Sequence, residues 1–276
     1  MTIRMMTLDD LQTVLEWAAE EGWNPGLDDA RAFYAADPKG FLLKEKDGAP
    51  VAAISVVNHD ANTAFLGLYL CKKGHRGQGH GMDVWRAGIA HAQDRCIGLD
   101  GVTDQQQNYA RSGFVNYGST VRYEGHLPSM TDPRMRAAAP DDIGDLVAQD
   151  AKACGIKRTA FATTWFTQSP TRQTMVLAEG SDITGFATFR RCHLGCKIGP
   201  LYAASEADAQ ALLGANPFPT AQEPCFVDVL DHNAPLAKAL KSVGFEATFE
   251  TARMYSGAEP INNPAKFQAI ATMELG

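Results

Sequence analysis

Arg76-Gly77-Gln78-Gly79-His80-Gly81 joins two stretches of opposite character. Before it, Thr63 to Cys71 is rich in β-branched and apolar residues and reads as a strand. After it, Met82 to about Asp94 places Trp85, Ile89 and Ala92 on one helical face. A turn from a strand into a helix points its free N–H groups and the positive helix end at one place, which makes an anion site. Glycine lets the backbone approach the anion without an intervening side chain, and Arg76 adds a charge-assisted contact. Lys72, Lys73, His75 and Arg76 form a basic knot just upstream.

Spacing narrows the phosphate ligand. No GxxxxGK[ST] occurs, which excludes a P-loop. A dinucleotide fingerprint needs GxGxxG after the first strand of a βαβ unit, but counting from Gly77 puts Met82 at the last glycine. The preceding strand also ends a meander, so Asp100 imitates a ribose carboxylate by coincidence. Coenzyme A remains.

Upstream, the pattern predicts a strand at Thr2 to Met6, a helix capped near Thr7 and a loop, EEGWNPGLDD. A helix over Asp28 to Ala36 ends before Asp37-Pro38. Strands at 41–46, 51–57 and 63–71 follow, separated by turn-like Asp47-Gly48 and Asp60-Ala61-Asn62. Downstream come a short strand near Ile97 to Leu99, a helical turn through Tyr109 and two closing strands around Phe114 to Tyr123. HLPSMTDPRM is the linker, with the boundary near Pro128.

The second half repeats this order. It has a strand at Met135 to Ala139, a helix from Asp141 and strands at 174–178, 183–191 and 198–202. A helix from Ala207, a strand at 226–230 and a helix from Ala234 to Val243 complete it. Asn108 to Phe114 and Ala239 to Phe245 both end a helix on Gly-Phe. The expectation is an α/β chain, α+β with a mixed sheet, in two similar domains, 1–128 and 129–276.

A chain of 276 residues with a net charge of −7 has no overall basic field to gather nucleic acid. It lacks the roughly 18 consecutive apolar residues of a membrane span and the apolar run of a signal peptide, so a cytoplasmic protein is expected. Six cysteines without a CxxC pair read as reduced thiols. Cys192, His193 and Cys196 lack a second ligand pair at zinc-site spacing, so no metal is expected.

RGQGHG after a strand resembles the Q/R-x-x-G-x-G/A signature of the GNAT acetyltransferase superfamily, with Arg76, Gly79 and Gly81 at its fixed positions. YxxxGF at Tyr109 to Phe114 is similar to its second landmark. The resemblance implies tandem GNAT-like acyl-CoA N-acyltransferase domains with acetyl-CoA as cosubstrate. Amides of Arg76, Gly77, Gln78, Gly79, His80 and Gly81 would then hold the pyrophosphate, and those near Leu70 and Cys71 the pantetheine arm. Tyr109 would be the acid for the departing thiolate. EGWNPGLDDA at 21–30 and TxRMYxG at 251–257 resemble a bacterial GNAT subgroup, whose first loop lies over the acceptor and makes Trp23 and Asn24 substrate-contact candidates. After Gly199-Pro200-Leu201-Tyr202 the second half reads AASEADAQ, without RxxGxG, and Leu240 stands where Tyr109 has its counterpart. It resembles a copy that kept the fold and lost the cofactor.

Many members of that superfamily carry a glutamate on the strand before the glycine loop, but Phe65-Leu66-Gly67-Leu68-Tyr69-Leu70 has none. Glu20, Glu21, His59, Asp228, His232 or a water chain are alternatives for the base. A lysine-like amine is neutral about once in 2,500 molecules at pH 7 and an α-amine roughly once in seven, a difference of about 3.5 kcal/mol. Absence of an obvious base therefore favours a low-pKa amine of a small molecule or amino acid over protein lysine. A non-catalytic acetyl-CoA-binding regulator is the alternative.

Overall fold

The computed structural model describes residues 2–127, 130–180, 182–218, 223–263 and 265–276. The linker boundary expected near Pro128 lies outside these residues. The first half contains β1 (Thr2–Met5), α1 (Leu8–Glu20), α2 (Asp29–Ala36), β2 (Phe41–Lys46), β3 (Ala49–Asn58) and β4 (Thr63–Cys71). It continues through α3 (His80–Ala92), β5 (Cys96–Val102), α4 (Gln106–Arg111) and β6 (Val115–Gly125). The second half contains β7 (Met135–Ala137), α5 (Ile143–Cys154), α6 (Thr159–Phe166), β8 (Arg172–Glu179), β9 (Asp182–Arg191) and β10 (Cys196–Ala203). Then come α7 (Glu206–Leu213), β11 (Cys225–Leu230), α8 (Ala234–Ser242), β12 (Glu246–Tyr255) and β13 (Phe267–Ala269).

Local chemistry explains the element ends. Thr7 Oγ1 accepts from the Asp10 amide at 3.1 Å while Asp10 accepts from the Thr7 amide at 2.8 Å, a reciprocal cap that starts α1. Leu11, Val14, Leu15 and Ala18 form its buried face. α3 starts at His80, two residues earlier than its apolar stripe suggests, because Gly79 takes a left-handed conformation (φ +83°) at the N-cap. α6 was not legible in the sequence. TAFATTWF is apolar with β-branched threonines and has no polar face to give it a helical period.

The strands form one mixed sheet in the order β1-β2-β3-β4-β5-β12-β6-β11-β10-β9-β8-β7, with β13 paired to β10. Outward from the central β12–β6 pair, the two halves run through their strands in the same order. The sixth strand of each half crosses over: β6 pairs with β11, and β12 pairs with β5. Two closing strands were expected at 114–123, but the structure has a single long strand, β6, there. The second closing strand of the first half is β12, some 120 residues later in the chain. Alternation marks Val115–Gly125 as strand but carries no information about which distant strand will flank it.

Helices tie the halves together on one face of the sheet. Phe33 of α2 stacks on Trp165 of α6 with ring centroids 6.2 Å apart, and one apolar core contains residues of both halves. The C-terminal segment runs through this junction, and every residue from Phe267 to Gly276 is buried.

Candidate active site

Two gaps in the sheet are related by the internal repeat. β4 and β5 pair in parallel from Thr63–Cys96 to Leu66–Leu99 and then part, although both strands continue. A bulge marks the parting point. The β3–β4 register shifts between Ala53 and Ser55, and Leu68 takes φ +45°. Holding a leucine there costs about 1–3 kcal/mol, and strain of this kind concentrates at functional sites.

The equivalent gap in the second half is closed. β10 and β11 pair from Cys196–Cys225 to Ile198–Val227, and the register of β10 shifts at Gly199-Pro200. Beyond that point β13 pairs with β10, and the Ile270 amide donates to the Asp228 carbonyl of β11 at 3.0 Å. The chain's own tail fills the second gap. That half also lacks the RxxGxG loop.

The first gap opens into a cavity of about 400 Å³. β4 and β5 contribute Leu66 to Tyr69, Leu99 and Asp100; α4 contributes Tyr109; the α1–α2 loop contributes Glu21 to Asn24. β6 adds Arg122 and Glu124, while Phe226, Thr248, Phe249, Met273 and Glu274 come from the second half. Trp23 and Asn24 therefore lie at the cavity, together with Tyr109. Leu70 and Cys71 are the next residues of β4 beyond the bulge.

The loop over the cavity is fixed by the second half. The Asn24 amide donates to the Leu194 carbonyl at 2.8 Å and accepts from the Leu194 amide at 3.1 Å. The Trp23 carbonyl accepts from Lys197 Nζ at 2.9 Å and Arg122 Nη1 at 3.2 Å. Burial pushes the Lys197 ammonium below its ordinary value, with Arg122 adding to the shift.

Four carboxylates line the cavity, and two of them are neutralised. Asp100 accepts from Arg253 at 2.7 and 3.0 Å, and Glu21 pairs with Arg76 at 2.7 Å. Glu124 has no hydrogen-bond or ion-pair partner among the described residues. Glu274 accepts from the Thr272 hydroxyl. The other base candidates fall elsewhere. Glu20 is exposed outside the cavity, beside Lys72 and Lys73, and His232 is exposed on the turn after β11. Asp228 is buried against Arg122 at 2.7 and 2.9 Å. Burial alone would raise its carboxyl, but the guanidinium holds it below the ordinary range. His59 donates to the Leu275 carbonyl at 2.8 Å, and burial lowers it to about 4.

Tyr109 is buried between Trp85 and Phe114, with centroids 5.7 and 6.3 Å away. Its hydroxyl has no hydrogen-bond partner among the described residues, and burial, with Tyr69 nearby, raises it well above 10. Tyr69 also lines the cavity and packs at a tilt against Trp85 with ring centroids 5.5 Å apart, and its hydroxyl leaves 2.9 Å for any Cβ at position 81. A side chain at position 81 would therefore push the Tyr69 hydroxyl aside.

The glycine loop suits an anion. Gly77 and Gly79 adopt φ +74° and +83°, which turn successive amides outward at the start of α3. His80 is buried with both ring nitrogens unpartnered, and His75 Nδ1 is likewise buried and unpartnered beside it. Gln78 accepts from Lys46 Nζ at 3.3 Å. The Arg76 guanidinium is committed elsewhere, donating to the Cys71 carbonyl at 2.9 Å and to Glu21, so it braces the end of β4 against the loop.

Residues 8–114 match the acetyltransferase (GNAT) family, and residues 146–267 match an acetyltransferase (GNAT) domain. The holothin acyltransferase of Pseudoalteromonas sp. (strain SANK 73390) is 34% identical over 281 aligned residues, covering 100% of this chain and 94% of the relative. The chain belongs to the GNAT acyltransferase superfamily. A putative acetyltransferase from Pyrococcus horikoshii has the same fold, with a TM-score of 0.81 at 21% identity over 100% of this chain and 95% of that one. A tandem GNAT protein from the clavulanic acid biosynthesis pathway superimposes with a TM-score of 0.61 at 13% identity over 93% and 99% of the two chains.

In this tandem GNAT chain the second copy supplies cavity walls to the first. Arg122 and Glu124 were legible in principle as alternate residues of one strand face, whereas Glu274 had no periodic signal at all. Among the described residues no three His, Cys, Asp or Glu side chains are placed to hold a metal ion, and no helix is long and apolar enough to cross a membrane.

Proposed function

We propose that this protein transfers the acetyl group of acetyl-CoA to the amine of a small molecule or amino acid, by direct attack within a ternary complex. The observation that carries this is the cavity, which joins the strained bulge of β4 and Tyr109 to two carboxylates that form no ion pair among the described residues, Glu124 and Glu274. A volume of about 400 Å³ is that of a small-molecule site. The name of the 34% identical relative, holothin acyltransferase, supports acyl transfer to a dedicated acceptor.

Amides of Gly77 to Gly81, with His80, bind the pyrophosphate, and the backbone of Leu68 to Cys71 aligns the thioester and polarises its carbonyl. Attack by the neutral amine forms the C–N bond, and collapse of the tetrahedral adduct breaks the C–S bond. Tyr109 donates a hydrogen bond and then a proton to the departing thiolate. The domain division at 1–128 and 129–276 remains part of this proposal, with cofactor chemistry in the first half and a cytoplasmic setting.

Incubation with acetyl-CoA and a panel of small amines, read by product mass, tests the proposal. The expected result is an acetylated amine whose formation, along with acetyl-CoA binding by calorimetry, is abolished by Gly79→Glu. Acetyl-CoA binding with no acetylated product from any amine would reject it.

A further inference from the structure

The strand that usually provides a carboxylate has none in this chain, and the tail provides one from the opposite end of the sequence. After filling the gap between β10 and β11, the C-terminal segment passes over both bulges. Its Ile270 carbonyl lies 2.1 Å from where a Cβ on Gly199 would stand, and its Glu274 carbonyl lies 2.2 Å from the same point on Gly67. Each glycine is needed because backbone occupies the space of a side chain. The tail is then locked by His59 on the Leu275 carbonyl and Arg158 on the Gly276 carbonyl. This places Glu274 against β4 where the strand parts from β5.

We propose that Glu274 is the catalytic base that takes the proton from the attacking amine. This rests on the acetyl-transfer reading above. The residue is 6% exposed and lines the cavity. Thr272 donates to Oε2, and Oε1 has no hydrogen-bond partner among the described residues. The cations that interact electrostatically with it are Arg122 on β6, Arg190 on β9 and Lys197 on β10. Arg122 is held by Asp228, Arg190 by Asp29 and Lys197 by the Trp23 carbonyl, so each cation already has a partner. Glu124, the other uncommitted carboxylate, sits farther along β6, paired in register with Phe226 and Glu246. As the C–N bond forms, nitrogen becomes acidic and its proton passes to Glu274 while the C–S bond breaks and Tyr109 protonates the thiolate. Solvent then returns the proton from Glu274 to the tyrosinate, which closes the cycle.

Charge and shape are separated by two variants, assayed as full-length protein with acetyl-CoA and an amine that the wild type acetylates. Glu274→Gln keeps the shape and is expected to lower kcat/KM by about 10²- to 10⁴-fold with acetyl-CoA affinity intact. Glu274→Asp keeps the charge and retains more activity than the glutamine variant, and added formate restores turnover to Glu274→Ala in a saturable way. His232→Asn, on the exposed turn after β11 and outside the cavity, stays within a few-fold of wild type. An active Glu274→Gln beside an inactive Glu274→Asp assigns the residue to packing and overturns the proposal, as does loss of acetyl-CoA binding in step with turnover. A wild type that acetylates no amine removes the parent reading, and this one with it.

Discussion

Gly67→Ala tests the placement of the tail most directly. A Cβ on this residue stands 2.2 Å from the Glu274 carbonyl oxygen, 2.9 Å from its carbonyl carbon and 3.0 Å from its Cα. All three atoms are backbone, so no side chain can rotate aside. Reaching an ordinary contact of 3.4 Å requires a retreat of about 1.2 Å. Overpacking of this kind costs about 1–3 kcal/mol, which is visible as a lower denaturant midpoint. The same displacement moves the Glu274 carboxylate away from β4, and a misplacement of about 1 Å is worth roughly 10²-fold in turnover. The assay is urea unfolding together with kcat at saturating acetyl-CoA. Gly144→Ala in α5, where an added Cβ meets nothing within 4 Å, is the control and should leave kcat unchanged. A Gly67→Ala protein with wild-type midpoint and wild-type kcat would show that the tail does not lie against β4 and would refute the reasoning.

Three further outcomes are expected. Tyr109→Phe lowers kcat by about 10²- to 10⁴-fold with little change in acetyl-CoA affinity; because burial raises the tyrosine well above 10, the wild-type rate profile should show no loss from its ionisation up to pH 10, and an unaltered kcat in the variant makes Tyr109 a core residue. Calorimetric titration should give one acetyl-CoA per chain, since β13 fills the second gap, and two equivalents would contradict that. His59, held at about 4 in the folded state against 6.5 unfolded, binds fewer protons folded than unfolded between those values. Stability is therefore full above pH 6.5 and falls by up to about 3 kcal/mol as pH drops to 4, and unfolding midpoints for His59→Asn should flatten this slope.

The sequence alone determined much of the local structure. Apolar and β-branched runs between turn signals located β2 to β4, Thr7 marked the start of α1, and the glycine loop with YxxxGF identified the superfamily. These features depend on residues within a few positions of one another, and backbone preference and capping act over that range. The sequence also showed that the halves are copies and that β4 carries no carboxylate. Only the tertiary structure decided that β6 and β12 exchange places, because an alternating strand specifies the face it buries and leaves its neighbours open. It also decided that Arg76 pairs with Glu21 and that Asn24 is clasped by Leu194. The tail was the least legible part. FQAIATMELG has no amphipathic period because it is buried on every side, and what fixes its path is the absence of side chains on Gly67 and Gly199, two strands distant in sequence from it and from each other.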